Sequence, residues 1–180
     1  MGLKDYIKSD LEKMPGGDTS FKEFIRWYFI RRNGEAFAFT FWYRVTWYIR
    51  KKYGKMASFI PYLMMRHFEF KYGIHANAGI EVGKGLHIVH GDGVYMNCRQ
   101  IGDNFTIYQG ATLGKGKGGI PQIGNNVTIF TNAVVVGNIR ISDGAKIGAN
   151  AFVTEDVGEN EVIVVSQSYN KRQSQDHVDD

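Results

Sequence analysis

The chain of 180 residues has one cysteine, three prolines and no apolar run long enough to span a bilayer. A lone Cys98 excludes an internal disulfide framework and a multi-cysteine zinc or iron–sulfur site, and it suits a reducing compartment. The longest stretch without charge, residues 118–139, covers 22 positions, but twelve of them are Gly, Pro, Gln, Asn or Thr, which rules it out as a transmembrane helix. No apolar leader follows Met1, because Leu3-Lys4-Asp5 runs straight into charged sequence, so a cytoplasmic chain is expected. Against the three prolines stand 22 glycines, a ratio that marks many tight backbone turns rather than long linkers.

Aromatic residues are nearly missing from the C-terminal two thirds. Residues 21–72 hold 18 of the 25 aromatics and eleven Lys/Arg against three Asp/Glu, while the rest of the chain is glycine-rich and slightly acidic. Three parts follow: a basic, aromatic, helical cap over 1–72, a repeat domain over 73–165, and a polar tail over 166–180. The tail contains His177, has no repeat and is expected to be disordered.

The repeat is set by branched aliphatics. Val82, Ile88, Val94, Ile101, Ile107, Leu113, Ile123, Ile129, Val135, Ile141, Ile147 and Val153 follow one another at steps of 6, 6, 7, 6, 6, 10, 6, 6, 6, 6 and 6. Four residues after most of them stands a second apolar or small side chain, such as Phe105, Ala111, Val127 or Ala133. Period six fits neither an amphipathic helix nor an alternating strand. It fits a coil of three short parallel strands, with the aliphatic inward and Gly or Asn at the corners of a triangular prism. Twelve units make four turns, about 19 Å tall at the spacing of paired strands. The seven-residue step reads as a one-residue bulge. The ten-residue step, Leu113 to Ile123, extrudes a mobile flap with two lysines and four glycines, placed to meet an anionic ligand.

In the cap, Ser20 is a helix-capping residue ahead of Phe24, Trp27 and Tyr28. Further helices are predicted over Ala36–Tyr53, ended by Gly54, and over Ser58–Lys71, with Pro61 near its start. Such helices would cover the exposed strand edges at one end of the coil. Basic helices with Trp and Phe also suit peripheral contact with the inner face of an anionic membrane.

The segments Ile88-Val-His90-Gly-Asp-Gly-Val, Ile107-Tyr-Gln-Gly-Ala-Thr-Leu-Gly114 and Ile147-Gly-Ala-Asn-Ala-Phe-Val-Thr154 resemble the hexapeptide-repeat acyltransferases of the serine acetyltransferase-like branch, especially its short members from capsule and exopolysaccharide pathways. The resemblance covers about residues 68–165. It implies a mainly β fold, a left-handed parallel β-helix of about four coils with an α-helical N-terminal cap. It also implies a homotrimer with sites in the clefts between prisms, and acetyl-CoA as co-substrate for O-acetyl transfer, with no metal and no nucleic acid.

His90 falls on the family's catalytic histidine. A hydroxyl is too weak an acid to attack a thioester unaided, and imidazole, with an ordinary pKa of about 6.5, can take its proton and return it to the leaving thiolate. A backbone N–H near Gly114 is the implied oxyanion donor. Thr131 and Ala149 share an outward position one coil apart, where the family lays the pantetheine arm, and Thr154 corresponds to a contact near the nucleotide end. The family often has lysine after that position. Glu155 stands there, so phosphate contacts fall to Lys115, Lys117 or Arg140.

Two departures bear on the acceptor. His75 occupies the upstream region where the serine-specific enzymes keep an aspartate to orient the base, which leaves Asp92 as a candidate orienting carboxylate. The flap's Arg-His pair is replaced by Gly119-Ile120. Without charge at this pair, the flap lacks the charge-assisted grip on an amino-acid carboxylate that the family's Arg-His pair supplies. A sugar hydroxyl is therefore the first expected acceptor, serine the second, and a non-catalytic trimeric scaffold the third reading.

Overall fold

In the computed structural model, which describes residues 2–31 and 34–165, four helices lead into fourteen strands of two or three residues each. The helices are α1 (Leu3–Glu12), α2 (Phe21–Ile25, running on as a π-helical turn, Arg26–Ile30), α3 (Gly34–Tyr53) and α4 (Phe59–Tyr72). Helix α1 was not anticipated from the sequence. The Ser20 hydroxyl caps α2, accepting the Glu23 N–H at 3.3 Å. The tail at 166–180 lies outside the described residues.

The strands build a parallel β-helix whose three walls are β1-β4-β7-β10-β13 (wall A), β2-β5-β8-β11 (wall B) and β3-β6-β9-β12-β14 (wall C). Wall A contains His75–Ala76, Tyr95–Met96, Thr112–Gly114, Val134–Val136 and Phe152–Val153; wall B contains Glu81–Val82, Gln100–Ile101, Gln122–Ile123 and Arg140–Ile141. Wall C contains His87–Ile88, Thr106–Ile107, Thr128–Ile129, Lys146–Ile147 and Val162–Ile163. The coil therefore makes about five turns, one more than the sequence indicated. The extra turn is split between the two ends, where Ala76 and Val157 hold inward places that the repeat normally gives to larger aliphatics or to a six-residue step.

Register corrects one assignment. The inward residue of β4 is Met96, paired with Leu113, whereas Val94 aligns with the corner residue Ala111, whose carbonyl accepts the Tyr95 N–H at 3.0 Å. The inward columns are buried as far as the last turn, where Ile163 is half-buried, and corners close through left-handed residues, among them Asn104, Asn126 and Asn132 with φ of 59°, 55° and 57°. Asn tolerates that region because its short amide can bond locally, as in the 3.0 Å bond from Asn104 Nδ2 to Asn126 Oδ1.

The cap seals the first turn with buried polar side chains. Arg44, fully buried on α3, makes a two-pronged ion pair with Asp10 of α1 at 2.7 and 2.9 Å. It also donates to the Val82 and Gly83 carbonyls at 2.7 and 2.6 Å. Asp10 accepts the Leu86 N–H at 2.8 Å, Tyr43 donates to the Ile80 carbonyl at 2.7 Å, and Glu69 accepts the Ala76 N–H at 3.0 Å. These are groups that a terminal coil would otherwise leave unpaired. Burial pushes the Asp10 carboxyl upward, and the Arg44 guanidinium and the Leu86 N–H pull it back.

Candidate active site

The edge between walls C and A is a stack of corners. In the second and third turns each runs through four steps, Ile107-Tyr-Gln-Gly-Ala111 and Ile129-Phe-Thr-Asn-Ala133. In the first it runs Ile88-Val-His-Gly-Asp-Gly-Val94. Val89 donates to the Ile107 carbonyl at 3.0 Å and Gly110 donates to the Asp92 carbonyl at 2.9 Å, which places Asp92 beneath Gln109 and Gly93 beneath Gly110. His90-Gly91 is thus a two-residue insertion. The next corner, from Met96 to Ile101, is one residue short, so the seven-residue step is the net of a gain and a loss. His90 belongs to no column of the repeat, and Asp92 takes the outward position that Thr131 and Ala149 hold higher up.

The insertion is seated tightly. A Cβ on Gly91 would stand 2.7 Å from Ile74 Cδ1 and 3.9 Å from Glu35 Cγ, so glycine lets the corner lie against β1 and α3. His90 is half-buried and Asp92 exposed. His87, on the outer face of β3, has its pKa lowered, first by burial and then by the positive charges of Lys13 and His90. In sequence His87 reads as an ordinary surface histidine, and its place immediately before inward Ile88 is the one signal that sets it on the outer face of the coil.

His75 lies on the outer face of wall A beside Tyr95, ring centroids 6.1 Å apart, and lines a cavity of about 380 Å³ with Arg66, Glu69 and Asn97. It is Gly73 and Ile74 that border the His90 corner: a Cβ on Gly73 would stand 3.4 Å from the Gly93 nitrogen.

The remaining residues divide between the two edges of wall A. Thr131 and Ala149 stack along the C–A edge, where Asn150 donates to the Thr131 carbonyl at 2.9 Å. Below them the buried Gln109 Oε1 has no hydrogen-bond partner among the described residues. Gly114, Lys115, Lys117 and Thr154 lie along the A–B edge. The flap there has a defined shape, closed by Gly116–Gly119 backbone bonds of 2.9 and 3.3 Å and laid on the next coil, where Asn138 donates to the Lys117 carbonyl at 3.2 Å. Arg99 pins it, donating from its backbone to Pro121 at 2.8 Å and from its guanidinium to Asn138 Oδ1 at 2.7 Å. Lys115 and Lys117 remain exposed. Arg140 points outward from wall B.

Cys98 is buried and its thiol is pushed up to about 12 by desolvation, which makes it an inert packing residue. Among the described residues no three His, Cys, Asp or Glu side chains converge as metal ligands, and no helix is long and apolar enough to cross a membrane.

Residues 120–155 match the bacterial transferase hexapeptide family (six repeats). The chain is 43% identical over 112 residues to a serine acetyltransferase of Staphylococcus xylosus, covering 58% of this chain and 51% of the relative. It is 42% identical over 105 residues to one of Helicobacter pylori, covering 55% and 61%. The chain spans about half the length of the curated relatives it matches. Among solved structures, Entamoeba histolytica serine acetyltransferase 1 in complex with L-cysteine superposes with a TM-score of 0.72 at 26% identity over 91% of this chain and 63% of that one. Soybean serine acetyltransferase apoenzyme gives 0.70 at 27% over 89% and 65%. A serine acetyltransferase in complex with CoA, at 22% identity and a TM-score of 0.72 over 89% of this chain and 66% of that one, shares the fold. In its six-residue repeat and its left-handed parallel β-helix, the chain is similar to the hexapeptide-repeat acyltransferases of the serine acetyltransferase branch.

Proposed function

We propose that the chain is an acetyl-CoA-dependent O-acetyltransferase with His90 as its base. The carrying observation is the His90-Gly91 insertion, which lifts one imidazole out of an otherwise regular column. In the reaction, His90 accepts the acceptor's hydroxyl proton as the oxygen bonds to the thioester carbonyl. The tetrahedral adduct then collapses, the C–S bond breaks, and the imidazolium returns its proton to the CoA thiolate. A backbone N–H near Gly114 would stabilise the oxyanion. The small outward side chains of Thr131 and Ala149 suit passage of the pantetheine arm, while Lys115, Lys117 and Thr154 serve the nucleotide end, and Asp92 and His75 stay as the candidate groups near the acceptor.

Serine is the acceptor that the named relatives support. The sugar reading keeps one observation in its favour, the absence of a charged side chain at the Gly119-Ile120 pair of the flap. Free-thiol release from acetyl-CoA, measured with L-serine and with nucleotide sugars or oligosaccharides, separates them. Saturable turnover with L-serine is expected; turnover with a glycan alone reverses the assignment, and turnover with neither, at any chain concentration, removes the proposal.

A homotrimer is part of the reading. Candidate residues lie on both edges of wall A, so one groove within a single chain cannot collect them, while a neighbour's edge can. The outer row of wall A exposes apolar groups, with Tyr95 44% exposed and Phe152, next to Val134, 70% exposed. Light scattering should give three times the 20.4 kDa of one chain. Exposed Met56, Phe59 and Ile60 beside Lys51, Lys52 and Lys55 support peripheral membrane contact by the cap of a cytoplasmic enzyme, and sedimentation with anionic vesicles tests it.

A further inference from the structure

We propose that Glu35, in the first turn of α3, is the carboxylate that positions His90; the inference rests on the reading of His90 as the base. A neutral imidazole can take a proton only if one ring nitrogen is free, and that tautomer is fixed by an acceptor holding the N–H of the other nitrogen. The elements bordering the corner from β1 supply none, since Gly73 and Ile74 have no polar side chain. Asp92 is exposed and stands in the outward column beneath Gln109.

Glu35 is placed differently. Helix α3 packs on β3, and its start is pinned because Gly34 sits hard against the Trp27 carbonyl. From that fixed turn the half-buried Glu35 reaches over the insertion, its Cγ 3.9 Å from where a Gly91 side chain would begin. Gly91 is the residue next to His90, and any larger residue there would intrude on Ile74 while touching Glu35 at ordinary contact distance. Among the described residues Glu35 has neither an ion-pair nor a hydrogen-bond partner. Besides the exposed Asp92, the titratable groups beside the corner are Lys13 and the imidazole of His87, and Glu35 brings a carboxylate from the cap to this cluster. The catalytic corner would then be completed by an element outside the repeat.

A first-turn acid also favours a helix through the macrodipole, so the test must separate that role from positioning. Full-length Glu35→Gln and Glu35→Asp are compared with the parent by long-range ¹H–¹⁵N spectra of the imidazoles, by kcat and KM for acetyl-CoA, and by thermal melting. Glu35→Gln is expected to move the His90 ring-nitrogen signals toward the other tautomer and to lower kcat about ten- to hundredfold, with KM changed less than about twofold. Glu35→Asp keeps the helix charge but draws the carboxylate back by one methylene, so it should melt with the parent and still lose kcat. A His90 spectrum unchanged in both variants, or signals that move in Asp92→Asn instead, would overturn the proposal. A parent chain without turnover would remove the acetyl-transfer reading, while the imidazole spectra would still decide whether Glu35 holds His90.

Discussion

In the prism a buried position is one of four or five in a column, whereas in the helical cap each buried group is used once. Ile88, Ile107, Ile129, Ile147 and Ile163 do the same task on wall C, and the inner three are each packed between two of the others. Arg44 and Asp10 have no second copy, yet they close the corner carbonyls and the Leu86 N–H of the first turn. Redundancy spreads load in a solenoid, where each turn contacts only its neighbours. The junction with the cap concentrates it.

The most severe way to break that contrast is Arg44→Ala. It leaves the Asp10 carboxylate buried without its partner, and a loss of about 3–5 kcal/mol in denaturant unfolding is expected. Arg44→Met with Asp10→Leu should recover much of this, because removing both charges is far less costly than stranding one. A smaller effect belongs to the prism: Asn126→Ala places a Cβ-bearing residue without a local amide at φ 55°, for about 1–2 kcal/mol, and Asn126→Gly should fall well below that. Smaller again is Ile129→Val, at about 0.5–1.5 kcal/mol, since one methylene is lost from a column of five. If Ile129→Val cost as much as Arg44→Ala, the prism would not share load as described.

The finest effect is a pH dependence at the boundary between the two regions. Folding depresses the His87 pKa, so the unfolded chain binds more protons as pH falls through its ordinary value near 6.5. Stability should therefore fall below about pH 6.5 and be independent of this group above it. His87→Gln should flatten that limb in melts recorded from pH 5 to 8. A slope of the opposite sign in the parent would contradict the placement of His87.

What could be read from the sequence follows the same division. Aliphatics at six-residue steps display the prism because every turn repeats the same physical requirement. The ends were harder: Ala76 is too small to stand out, and Val157 follows Val153 after only four residues. Val94 kept the spacing and so hid Met96, because a two-residue gain and a one-residue loss look like a single bulge until hydrogen bonds set the register. In the cap, Arg44 reads as a surface charge on an amphipathic helix, and only the fold brings Asp10 and two carbonyls to it. His90 was legible as a family motif, but its standing as an insertion, the approach of Glu35 to Gly91 and the division of the candidate cofactor residues over two edges depend on contacts between distant segments. The acceptor was the weakest inference. The absence of charge at Gly119-Ile120 suggested a sugar, whereas the named relatives support serine.

The central claim is that the His90 corner, enlarged by two residues, carries the chemistry. Thiol release from acetyl-CoA with L-serine, compared between the parent chain and His90→Ala at matched trimer content, tests it most directly. The account predicts a loss of about 10²- to 10⁴-fold in kcat with the melting temperature little changed. Full turnover in folded His90→Ala would contradict it.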